Sequence, residues 1–136
     1  MRVCILTRSD VFPDNHGAAV KIVQTIKGIS QQLSSPTCLI TDDRDHYWVF
    51  IQNEWQQRPY PARFRALQEW PVMRSLPLLA RKICRQIGYP EEEHFLYTPQ
   101  FDLSWVVRAV AVGLVEQITV FQAEFPGYGL AAKLAS

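Results

Sequence analysis

At 136 residues, with 14 basic against 13 acidic side chains and a formal charge of +1, the chain fits one ordinary domain and can bury a core without help from a disulfide or a metal. Three cysteines, odd in number and widely spaced, argue against a disulfide framework and for a reduced, cytoplasmic setting. The apolar stretches are interrupted by Arg81, Trp105 and Arg108 before they reach the length of a bilayer span. The opening residues lack the apolar core and cleavage site of a signal peptide, so no secretion is expected.

The first element predicted is a strand, Val3 to Leu6, whose continuous apolar run suits a parallel strand covered on both faces. A polar loop, Thr7 to His16, follows it. From Ala18 to Leu33 the residues Ala19, Ile22, Val23, Ile26, Ile29 and Leu33 recur at steps of three and four, which predicts a helix lying on the sheet. Ser34, Ser35 and Pro36 stop that helix, and Thr37 to Thr41 reads as a second strand closing a βαβ unit. Gly17 therefore stands at a helix start beyond the carboxyl end of a strand. It is either an ordinary tight turn or a place where free backbone N–H groups receive an anion.

Asp42, Asp43 and Asp45 read as a solvated turn; they lack the spacing and turn glycine of a calcium loop, and no metal site is expected. Tyr47 to Ile51 is aromatic and β-branched and predicts a third strand, with Gln52, Asn53 and Glu54 as a polar tail at an edge position. Prolines 59, 61, 71, 77 and 90 then punctuate the chain and predict two short helices, the second with Pro77 in its first turn and an apolar stripe of Leu76, Leu79, Ala80, Ile83 and Ile87. Glu91, Glu92 and Glu93 form an acidic loop or helix start. Asp102 is a good N-cap for an almost wholly apolar helix from Leu103 to Gln117. Ile118 to Gln122 is the last predicted strand, and Leu130 to Ala135 a short final helix. These elements sum to an α/β domain with a mostly parallel sheet of four visible strands, an incomplete set by the usual measure.

The balanced net charge conceals an uneven distribution. Between Arg58 and Pro90 seven cations (Arg58, Arg63, Arg65, Arg74, Arg81, Lys82 and Arg85) face one acid, Glu69. Interleaved with Phe64, Trp70, Met73, Leu78 and Leu79, the basic residues Arg63, Arg65, Arg74, Arg81, Lys82 and Arg85 form either a solvated face or a docking patch for an anionic membrane surface. Nucleic-acid binding is not expected, since net charge is near zero and no recognition helix is visible.

Two loops together resemble a known family. The strand followed by Pro13 Asp14 Asn15 His16 Gly17 Ala18 and a helix resembles the start of GT-B fold glycosyltransferases, in particular the retaining family 4 enzymes, where a Gly-Gly-Ala step begins the first helix. Val120 Phe121 Gln122 Ala123 Glu124 Phe125 Pro126 is similar to the strand and loop of the same amino-terminal domain that often carries His-x-His, and Tyr97, Pro99 and Asp102 resemble the segment before the preceding helix. His16 stands where the first glycine usually lies, and Gln122 and Glu124 where histidines are common. No histidine role is carried over, and no catalytic residue is assigned.

The resemblance implies a Rossmann-like three-layer sandwich, the amino-terminal domain of a two-domain enzyme whose second Rossmann-like domain holds most of the nucleotide-sugar site. It implies phosphate or donor contacts at His16, Gly17 and Ala18, and acceptor contacts at Arg8, Asp10, Gln122 and Glu124. For each the plainer alternative stands beside it: Arg8 and Asp10 pairing with one another, His16 filling space, Glu124 as a surface carboxylate or helix cap. The expected function is the acceptor side of sugar transfer from a nucleotide-sugar to a glycan or lipid-linked acceptor, without a cofactor and without turnover by residues 1–136 alone. Its setting would be cytoplasmic, peripheral to the membrane's inner face. The competing expectation is a free-standing nucleotide- or phosphate-binding module, or an inactive partner subunit.

Overall fold

A computed structural model describes residues 1–8, 11, 12, 14, 16–89 and 101–136, apart from the side chains of Arg74 and Pro126. The expectations for Asp10, for Pro13 and Asn15, and for the stretch from Pro90 to Gln100 lie outside the described residues.

Strand β1 (Val3–Leu6) leads through its loop to helix α1 (Gly17–Leu33) and on to β2 (Thr37–Ile40). Then β3 (His46–Ile51) and β4 (Glu54–Pro59) form a hairpin, followed by helices α2 (Ala62–Gln68) and α3 (Pro71–Gln86). Helix α4 (Leu103–Glu116) returns the chain to β5 (Val120–Ala123), and a 3-10 turn at Pro126–Tyr128 precedes α5 (Gly129–Ala135). The five strands make one sheet in the order β4-β3-β2-β1-β5.

β1 runs parallel to both β2 and β5, while β3 is antiparallel to β2 and to β4. The sheet is therefore mixed, not mostly parallel, and it has a strand that the sequence reading missed. Gln52 and Asn53 are not a tail but a two-residue hairpin turn, both at positive φ (51° and 66°), with Ile51 paired to Glu54 across it. That is the geometry of a type I′ turn, whose usual glycine signal is absent here. β4 is polar and ends in Pro59, as befits the edge it occupies, so β3 is an interior strand.

Alternate strand residues feed two cores, as the period of a pleated strand requires. Val3, Ile5, Leu39 and Phe50 pack with Ile22, Val23 and Ile26 of α1. Cys4, Leu6, Cys38, Ile40 and Val49 pack on the other face with Trp105, Ala109 and Val112 of α4 and Ala131 of α5. Helices thus cover both faces, which is why β1 and β2 read as unbroken apolar runs. Gly113 has a local role: a Cβ there would stand 3.1 Å from the Phe121 ring of β5, so its absence lets strand and helix meet closely.

The proline-rich stretch also departs from expectation. Pro71 occupies the first turn of α3, and Pro77 lies inside a helix of 16 residues. Because proline's fixed φ is itself helical, the helix continues past Pro77 while losing the hydrogen bond to the Met73 carbonyl. Asp102 caps α4 as expected, its carboxylate accepting from the Ser104 N–H at 3.0 Å. That helix ends one residue early, with Gln117 in the left-handed region at φ 55°. Its last residue, Glu116, is tied to the hairpin: the Tyr47 hydroxyl donates to its carboxylate at 2.7 Å and the Arg58 guanidinium at 2.8 Å. Among the described residues no helix is long and apolar enough to cross a membrane.

Candidate functional site at the carboxyl edge of the sheet

The strand order fixes where a ligand site belongs. From β1 the chain moves to β2 on one side and returns through α4 to β5 on the other, so the order reverses at β1. In open α/β sheets the loops that follow two such strands part from one another and leave a crevice at their carboxyl ends. Here the loop after β1 leads to His16, Gly17 and Ala18 at the start of α1, and the end of β5 carries Gln122 with Glu124 just beyond it.

The loop after β1 is pinned at both ends. Thr7 N–H donates to the Ile40 carbonyl at 3.0 Å, Val11 is buried, and the Phe12 ring lies 4.6 Å from Trp48 and 5.0 Å from Trp55, centroid to centroid. α1 then begins at His16, whose backbone is extended and whose Nδ1 accepts from the Ala19 N–H at 3.3 Å. His16 is thus the N-cap of the helix, its Nδ1 serving as the acceptor. It answers one of the orphan N–H groups and leaves those of Gly17 and Ala18 at the positive end of the helix. All three residues are exposed. Among the described residues, no atom beyond the neighbouring backbone lies within 4 Å of where a Gly17 side chain would begin, so on that side the helix start is open to an incoming group.

Across the crevice the Glu124 carboxylate is held from two sides. The Gln122 amide donates to Oε1 at 2.8 Å, and the Lys21 ammonium of α1 stands 3.9 Å from Oε2. The Glu124 N–H donates to the Leu6 carbonyl at 3.1 Å, carrying β5's pairing with β1 one residue further. Its side chain is 13% exposed. Glu124 is therefore neither a free surface carboxylate nor a helix cap; it bridges the β5 loop to the first turns of α1.

No family model, curated protein or solved structure matches the chain.

Arg8 pairs with Asp42, at the end of β2, at 3.8 Å. These two with Pro77, Arg81, Asp102, Trp105 and Tyr128 line a hollow of about 140 Å³ on the α4 side of the same edge. A larger hollow of about 550 Å³ lies at the opposite edge, between the end of α1 and the β3–β4 turn; serine, glutamine and asparagine side chains line it together with Pro36, Phe50 and Ile51, with no charged group among them. The acidic run is the turn it was expected to be. Asp43 Oδ1 accepts from the N–H groups of Asp45 and His46 at 2.8 and 3.0 Å. Of the docking candidates, Arg63 and Arg65 are exposed on α2, and Arg81, Lys82 and Arg85 on α3.

Two residues that shape this edge were not among the site residues expected from the sequence. Lys21 belongs to a solvent-facing helix position and carries no signal of its own. Arg108, 1% exposed, is the lone cation in a mostly apolar helix, and that oddity was the available clue. Its guanidinium donates to the carbonyls of Thr41 at 2.6 Å and Asp43 at 3.2 Å, and its Nε to the Ser104 carbonyl at 3.2 Å. It also lies 3.9 Å over the Trp105 ring. Burial lowers its affinity for the proton, yet it remains a cation at any physiological pH. Arg108 thereby locks the loop after β2, from which Asp42 reaches Arg8.

Proposed function

We propose that the chain is the amino-terminal, acceptor-side domain of a GT-B type glycosyltransferase: a Rossmann-like, three-layer unit working in the cytoplasm beside a second Rossmann-like domain or chain that supplies most of the nucleotide-sugar site. The observation that supports this reading best is the crevice at the order reversal, where an open helix start faces a carboxylate held in place by Gln122 and Lys21.

In this role the Gly17 and Ala18 N–H groups and the positive end of α1 stabilise the departing diphosphate as its charge grows. A carboxylate can accept about four hydrogen bonds, so Glu124 keeps acceptor capacity beyond Gln122 and Lys21 for a sugar hydroxyl. Arg8 and Asp42 extend the polar lining toward the acceptor. Choice of donor and completion of the transfer belong to the second domain, so residues 1–136 bind without turning over. A free-standing phosphate-binding module would use the helix start alone.

The test is isothermal titration of the chain and its Glu124→Ala variant with a panel of short oligosaccharides, alongside a radiolabelled nucleotide-sugar transfer assay. Loss of one charge-assisted hydrogen bond predicts about 10- to 100-fold weaker saccharide binding by the variant. Saccharide binding that is unaffected by the substitution, or no saccharide binding at all, would count against the acceptor role. Rapid transfer by the chain alone would contradict the two-domain division.

A further inference from the structure

The most unusual surface of the molecule lies away from the crevice, on α3. A helix that rests on a protein core normally turns its apolar stripe inward. Here Ala80 is buried and Met73, Leu76, Pro77 and Cys84 are partly covered, but Val72, Leu79, Ile83 and Ile87 are 48–67% exposed. Spaced by seven, four and four residues, these four line one strip along the helix. Leu79, Ile83 and Ile87 continue into an apolar groove of about 260 Å³ that Phe101 closes.

The chemistry around the strip identifies what it meets. α3 contains no acid, and the side of the helix away from the strip carries exposed Arg81, Lys82 and Arg85. An exposed aromatic with a polar handle stands at each end, Trp70 just before the helix and Tyr89 just after it, 59% and 41% exposed. Apolar strip, cationic opposite side and terminal Trp and Tyr are what a helix needs to lie in the plane of an anionic bilayer: the strip enters the acyl boundary, the long basic side chains reach the headgroups, and the aromatics settle at the interface. A protein groove would accept the strip but would give no reason for a flank whose charges are all positive and which also exposes Leu78. The prolines do not prevent this, because the helix runs unbroken through Pro77.

We infer that α3 docks this protein on an anionic membrane surface, with Val72, Leu79, Ile83 and Ile87 inserted and Lys82 and Arg85 engaging phosphate headgroups. The docking stands independently of sugar transfer. It would also bring the hollow lined by Arg8, Asp42 and Arg81 close to the bilayer, since Arg81 and Pro77 of α3 form one of its walls.

Co-sedimentation with vesicles tests it, using phosphatidylcholine alone and phosphatidylcholine with phosphatidylglycerol as about a third of the lipid, at low and high salt. The chain should pellet with the anionic vesicles only, and less at high salt. Leu79→Asp combined with Ile83→Asp should abolish pelleting while the far-ultraviolet circular dichroism stays unchanged, since both sites are exposed. Lys82→Gln with Arg85→Gln should weaken binding about 30-fold, from about 1 kcal/mol per cation. Failure to pellet with anionic vesicles overturns the inference, as does equal pelleting with both compositions. So does a lipid-free dimer that the Leu79→Asp, Ile83→Asp variant converts to monomer, because the strip would then be covered by a second copy of the chain.

Discussion

α3 and α4 are both rich in apolar residues, and the fold sends them to opposite places. α4 is apolar almost all round and lies between the sheet and its neighbours, with Trp105, Ala109, Ala111 and Val112 buried. α3 is apolar along one broad arc, buries only part of it, and leaves the rest to solvent. Each also carries arginine, and the contrast there is sharper still. Arg108 enters the core because three backbone carbonyls await its guanidinium, whereas Arg81 and Arg85 stay outside. Burial of a charge is decided by the partners on offer, not by how apolar its helix is.

The largest way to break this comparison is to remove Arg108. Arg108→Ala leaves the carbonyls of Thr41 and Asp43 without their donor and empties a packed volume beside Trp105, so urea denaturation should show a loss of about 3 kcal/mol. A loss below about 1 kcal/mol would mean that the carbonyls do not hold the arginine as described.

A second test uses pH on the α4 side of the core. Burial, reinforced by the Glu116 carboxylate, pushes the Cys38 thiol from its ordinary 9.0 up to about 12. The folded chain thus holds the thiol proton more tightly than the unfolded one. This contribution to stability is complete below pH 9 and drains away as pH rises from about 9 to about 12, at about 1.4 kcal/mol per unit for this group. Thermal melts across that window should fall steeply for the wild type and less steeply for Cys38→Ala. Equal slopes would show that the thiol is not where the second core puts it.

The smallest expected effect is on α3. Leu79→Ser, at a site 53% exposed, should change stability by no more than about 0.5 kcal/mol. A large loss there would place the strip in a core and remove the docking surface.

Much of the fold was legible in the sequence, because local signals and tertiary demands agreed. β1 and β2 announce themselves as apolar runs bounded by turn residues, α1 by its period of three and four, and α4 by the cap at Asp102. β4 was invisible for a physical reason: an exposed edge strand needs no apolar alternation, and its turn reaches positive φ with Gln52 and Asn53 instead of glycine. Pro77 misled because proline's cost was counted but the helical value of its φ was not. At the candidate site the strand ends and the helix start were legible, but their connection was not. Lys21 and Glu124 lie 103 positions apart in sequence, and only the pairing of β5 with β1 brings them together. His16 was weighed as a ligand or a filler, and its capping of Ala19 depends on one imidazole nitrogen that no spacing rule singles out.

The central claim is that the crevice at the order reversal is one site with two halves. Amide-resolved ¹⁵N–¹H spectra of the chain, titrated with pyrophosphate and then with an oligosaccharide, test it most directly. Pyrophosphate should shift the Gly17 and Ala18 amides, the saccharide should shift Gln122 and Glu124, and each ligand should tighten or weaken the binding of the other. Shifts confined to the helix start, with no response to the saccharide at Gln122 or Glu124, would contradict the account and leave a phosphate-binding module in its place.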